Sequence, residues 1–81
     1  MTEDVKADVT IDLQGLLCPI PVVKINQAVK NAEVGQVIEA TATDPGVLGD
    51  IPAWCRINGH KLVGIQQYEN HLMVVIEVNN T

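Results

Sequence analysis

The sequence predicts an α/β two-layer sandwich of order β-α-β-α-β-β, with a four-stranded mixed sheet and two helices on one face. Three observations lead there. Val9, Ile11 and Leu13 alternate with Thr10 and Asp12 in a strand period. Two segments between the strands carry a proline at or next to their start and apolar residues at helical spacing. The chain then closes on Leu72-Met73-Val74-Val75-Ile76, a continuous apolar run suited to a central strand.

After a polar leader over residues 1–7, the first strand carries Val9, Ile11 and Leu13 inward. Gly15 supplies a turn before Cys18, and Pro19 fits the first helical position, where its missing N–H has no partner to lose. From Pro19 to Ala32 the β-branched Ile20, Val22, Val23 and Ile25 favour a strand. Pro19 and Pro21 would spoil a central strand, however, and Val22, Ile25, Val29 and Ala32 recur at helical spacing, so the segment reads as a helix with Lys24, Gln27 and Asn31 toward solvent. Residues 37–42 form the second strand. Residues 43–49 read as a loop, and Asp50 as the N-cap of a short second helix that runs from Ile51 to a stop at Gly59. That helix gathers Ile51, Trp54, Cys55 and Asn58 on one side. Two last strands, residues 60–69 and 71–78, flank a tight turn near Asn70. The β-α-β units imply right-handed crossovers and place ligand sites at the carboxyl ends of the strands. Cys18, the 44–50 loop and the Glu69-Asn70 turn are therefore expected along one edge.

With 81 residues the chain has room for one domain, residues 1–81, with one core. One Trp, one Tyr and no Phe leave that core to Val, Ile, Leu and Ala. A net charge of −5 with five Lys and Arg argues against nucleic acid and an anionic membrane surface as partners. No run approaches the roughly 20 apolar residues of a membrane span. The polar N-terminus lacks signal-peptide character, so the expected compartment is the cytoplasm, where thiols stay reduced. Cys18 and Cys55 form no C-x-x-C pair, which leaves a disulfide or a sequential metal site without support.

Cys18 at a helix start faces unpaired amides and the positive end of the macrodipole, which favour its thiolate. With Cys18 as N-cap, the prolines leave Ile20 and Val22 as the nearest amide donors. Gly15, Pro19, Ile20 and Pro21 thus position the thiol, and the stiff turn projects it outward. The plainer alternative makes Cys18 a small buried hydrophobe, as most free cysteines are. Cys55, one turn from Ile51, reads as core. Neither His60 nor His71 is spaced as a base for Cys18. Lys24, Asp44 and Asp50 are candidate partner contacts, against plainer readings as a solvated lysine, a turn residue and a cap. No cofactor or metal is expected.

The run from Asp12 to Pro21, with Gly15-Leu16-Leu17-Cys18-Pro19-Ile20-Pro21 at its centre, resembles the signature G-L-x-C-P-x-P of the TusA/SirA-like sulfur-carrier family. The order Ile11-Asp12 before the glycine is a mild departure. Thr43-Asp44-Pro45-Gly46, Asp50-Ile51-Pro52-Ala53-Trp54-Cys55 and Gly59-His60 resemble the family's second block. The resemblance implies that Cys18 accepts sulfane sulfur as a covalent persulfide and hands it on, as a sulfurtransferase-type carrier rather than a stand-alone turnover enzyme. It also implies a donor, such as a cysteine desulfurase or rhodanese-like protein, and an acceptor protein. The family's routes include tRNA thiolation, molybdenum cofactor supply, sulfur oxidation and thiosulfate use. The competing expectation is a non-catalytic regulatory or binding module that docks a partner through the Cys18 edge. A thiol oxidoreductase is a third, weaker option, because Cys55 is expected to be buried and far from Cys18.

Overall fold

The computed structural model describes residues 7–17 and 19–79. Cys18 itself and all of the expected leader except Ala7 lie outside the described residues. The elements run β1 (Val9–Leu13), α1 (Ile20–Lys30), β2 (Val37–Ala42), α2 (Val47–Asn58), β3 (Lys61–Gln67) and β4 (Leu72–Glu77). Their order matches the sequence expectation. The sheet is arranged β1-β2-β4-β3, with β1 and β2 parallel and β4 antiparallel to both its neighbours. The least extent of the molecule is 18 Å, enough for one helix layer on one sheet.

Alternation decides which side of the sheet is covered. Leu13 of β1, Ile38, Ala40 and Ala42 of β2, and Leu72, Val74 and Ile76 of β4 are buried with Ile25 and Val29 of α1 and Val47, Ile51 and Cys55 of α2. On β3, Leu62 and Ile65 pair with Ile76 and Val74, although three residues apart they should face opposite sides. An irregularity between Leu62 and Gly64 absorbs the extra residue at Val63 and restores the phase. It also breaks the regularity of an edge strand, where regular edges invite pairing with other chains.

Helix α1 starts one residue later than expected. Pro19 is its N-cap, with φ −94° and ψ 11°, and the Pro19 carbonyl accepts the Val23 amide at 3.2 Å. Pro21 lies in the first turn, where a proline costs no helical hydrogen bond, and its ring is buried. Pro21, Ile25 and Val29 make the buried stripe, so Val22 and Ala32 flank it half-buried. Burial of that stripe outweighs the strand preference of the β-branched residues, which is a modest local term. The helix ends at Lys30, and Asn31 caps it in place of the expected extension to Ala32.

Helix α2 begins at Val47, four residues before the expected start, and Asp50 is a first-turn residue while Gly46 occupies the N-cap. Two contacts explain the difference. Asp44 Oδ1 accepts the Gly46 amide at 3.3 Å and the Asp44 carbonyl accepts the Val47 amide at 3.2 Å, which turns the chain early. Burial of Val47 then adds one more residue to the stripe of Ile51 and Cys55. Pro52 consequently falls inside the helix, beyond a tight first turn in which the Leu48 and Gly49 amides bond three residues back, to Pro45 and Gly46. At the far end, Gly59 adopts φ 79°, in keeping with its expected role as the helix stop, and the His60 amide donates to the Cys55 carbonyl at 2.9 Å.

Candidate functional site at one end of the sheet

One row of partners crosses the whole sheet: Leu13 lies opposite Ala42, Ala42 opposite Leu72, and Leu72 opposite Gln67. Just beyond that row lie the turn that leads to Cys18, the loop before α2 and the β3–β4 turn. The expected meeting of these segments along one edge holds for their described residues.

The turn after β1 is closed locally and across the sheet. Asp12 Oδ1 accepts the Gln14 amide at 3.0 Å, and the Leu13 carbonyl accepts the Leu16 amide at 3.2 Å. Gly15, at φ 81°, donates its amide to Thr43 Oγ1 at 2.8 Å. Only glycine adopts such a φ without strain. Leu17 is 72% exposed and Ile20 44% exposed, so the residues close to Cys18 on both sides present apolar surface to solvent.

Of the amides expected near a Cys18 thiolate, that of Ile20 has a backbone partner. The Ile20 amide bonds to the Leu17 carbonyl at 3.0 Å, because the chain closes a tight turn before the helix begins. The Ile20 amide therefore already has an acceptor. No acidic residue lies in the first turn of α1, so the helix's own side chains do not offset its positive end.

The remaining candidates fall into two groups. Asp44 stands in the loop beside Thr43 and shapes the turn into α2, while Asp50 is exposed in the first turn of that helix. Lys24 is exposed on α1, about one turn from the helix start. Cys55 lies in the core, 2% exposed, and burial pushes its thiol up to about 11. His71 lies at the same sheet end as Gly15 and Thr43, whereas His60, before β3, lies at the opposite end.

Thr43 was absent from the candidates read in the sequence. Its sequence signals are a hydroxyl residue directly after a strand and membership of the second family-like block, while the parallel register that brings it to Gly15 has no local signature. Next to it, Thr43, Pro45, Tyr68, Glu69, Asn70 and His71 line an open groove of about 400 Å³. The Tyr68 and His71 rings stack at 4.7 Å on one of its walls. Among the described residues no three His, Cys, Asp or Glu side chains gather as a metal site requires, and no helix is long and apolar enough to cross a membrane.

Known proteins are similar to this chain in sequence and in fold. A candidate sulfur carrier protein of Aquifex aeolicus is 37% identical over 75 residues, which is 93% of this chain and 38% of that relative, so the chain spans well under half of the relative's length. Sulfur carrier protein TusA of Pseudomonas entomophila is 41% identical over 64 residues, covering 79% of this chain and 80% of that protein. The crystal structure of a SirA-like protein from Desulfitobacterium hafniense superposes with a TM-score of 0.76 at 22% identity, over 89% of this chain and 99% of that one, a likeness of fold. Residues 9–78 match the family described as Sulfurtransferase TusA, the whole span from β1 to the end of β4, and the chain belongs to that family.

Proposed function

We propose that this chain is a sulfur carrier in which Cys18 accepts sulfane sulfur as a persulfide and passes it to a partner protein. The observation that carries the reading is the family match over residues 9–78, which includes the motif around Cys18. Two features support it. Leu17 and Ile20 are exposed, as a thiol served by two successive protein partners requires of its surroundings. The start of α1 lacks acidic residues, which suits a thiolate.

In the loading step the Cys18 thiolate attacks the outer sulfur of a donor persulfide, R–S–SH. A new S–S bond forms at Cys18, the donor's S–S bond breaks, and the donor leaves as the thiolate R–S⁻. One sulfur atom moves, with no net oxidation and no further reactant. Unloading repeats the exchange with an acceptor thiol. The donor is a cysteine desulfurase or rhodanese-like protein, and the activation that a stand-alone enzyme would draw from its own acid and base comes from the partners.

The test is intact-mass measurement after incubating the reduced protein with glutathione persulfide. The wild type gains one sulfur, Cys18→Ser gains none, and Cys55→Ser still loads. An unloaded wild type, or equal loading of Cys18→Ser, overturns the carrier reading in favour of a binding module that docks partners through this edge.

A further inference from the structure

We infer that Thr43 is a positioning residue for sulfur loading: by accepting the Gly15 amide, its hydroxyl holds the turn that presents Cys18. The inference rests on the Cys18 reading above and adds a residue to it.

The parallel β1–β2 ladder ends at the Leu13–Ala42 pair. Gly15 lies two residues past that pair, and its amide is bonded to Thr43 Oγ1 at 2.8 Å. The hydroxyl therefore takes over where the regular pairing of strands stops. Thr43 is itself held by the loop on its C-terminal side. The Asp44 carboxylate and carbonyl bond the amides of Gly46 and Val47, which ties that loop to the start of α2, and Val47 and Ile51 anchor the helix in the core. On the other side, the Leu16 and Ile20 amides close their own turns onto Leu13 and Leu17. Those bonds shape the segment, but they do not tie it to a neighbouring element. The Thr43–Gly15 bond does so, on the stretch between β1 and the buried Pro21.

Its consequence is local. Helix-end stabilisation of a thiolate fades within the first turn, so loosening the turn that precedes α1 weakens it and slows productive approach of the donor. A roughly three- to tenfold change in rate corresponds to about 0.7–1.4 kcal/mol, within the net contribution of a typical intramolecular hydrogen bond.

The experiment compares wild type, Thr43→Val and Thr43→Ser. It measures the rate of persulfide loading from glutathione persulfide, and the pH profile of iodoacetamide alkylation at Cys18 and Cys55 by peptide mass spectrometry. Thr43→Val, which keeps the shape and removes the acceptor, loads roughly three- to tenfold more slowly, and the midpoint of its Cys18 alkylation profile moves to higher pH. Thr43→Ser restores both. Cys55 alkylation, which reports opening of the core, stays at the wild-type rate in all three. Wild-type kinetics and pH profile in Thr43→Val overturn the inference, as does failure of Thr43→Ser to rescue, or a parallel rise in Cys55 alkylation. If the wild type itself fails to load, the carrier reading falls, while the alkylation profiles still decide whether Thr43 positions the thiol.

Discussion

His60 stacks on Trp54, with ring centroids 5.1 Å apart and planes inclined by 23°, while its Nδ1 accepts the Asn79 amide at 3.3 Å. The ring thus joins the C-terminal end of α2 to the segment after β4. Desolvation by burial lowers its pKa below the ordinary 6.5, and an Nδ1 that accepts a hydrogen bond is consistent with the neutral form.

That shift makes stability depend on pH. The unfolded chain protonates this histidine first as the pH falls through 6.5, so the stabilising contribution is present above that value and is lost as the pH falls through the lower folded midpoint. An NMR titration of the His60 ring is expected to give a midpoint below 6.5. In urea unfolding, His60→Asn, which offers an acceptor that does not titrate, is expected to lose less stability than wild type on acidification. A midpoint at or above the ordinary value contradicts this account.

Cys55 shifts in the opposite sense. Its thiol is raised by burial from 9.0 to about 11, so the folded state holds the proton after the unfolded chain has released it. The contribution is full below pH 9.0 and lost as the pH rises through about 11. Such a shift corresponds to about 2–3 kcal/mol at most. Urea unfolding followed across that range is expected to show a steeper loss for wild type than for Cys55→Ala. Near pH 8, alkylation of Cys55 is expected to proceed only as fast as the core opens.

Gly15 tests the turn itself. A Cβ at this position would meet nothing within 4 Å, so the cost of a side chain comes from the backbone at φ 81°. Gly15→Ala is expected to lose roughly 1–2 kcal/mol in urea unfolding, and Gly15→Asn less, because asparagine tolerates the left-handed region better. Equal losses in the two variants would place the cost elsewhere.

The element order and the two-layer class were legible because the signals are local. Alternation at Val9, Ile11 and Leu13, the apolar run in β4, and prolines near the helix starts each act within a few residues. The misplaced start of α2 shows where local signals compete. Asp50 before Ile51-Pro52 looks like a cap, yet Val47 gains burial only if the helix starts earlier, and Asp44 supplies the turn that lets it. The bulge at Val63 was hidden for a related reason. Leu62 and Ile65 come to one face through their pairing with Ile76 and Val74, and nothing in β3 alone requires that.

At the candidate site the division is sharper. Legible in the residues alone were a cysteine close to a helix start, the glycine turn before it, the prolines after it, and the signature of a family. The gathering of the three segments at one edge followed from the β-α-β order, but the side-chain contacts there, the Thr43–Gly15 bond and the Tyr68–His71 stack, became visible only in the folded chain. The physical reason is that propensity and periodicity act over one or two turns of chain, whereas Thr43 and Gly15 are 28 residues apart and meet through the register of two parallel strands.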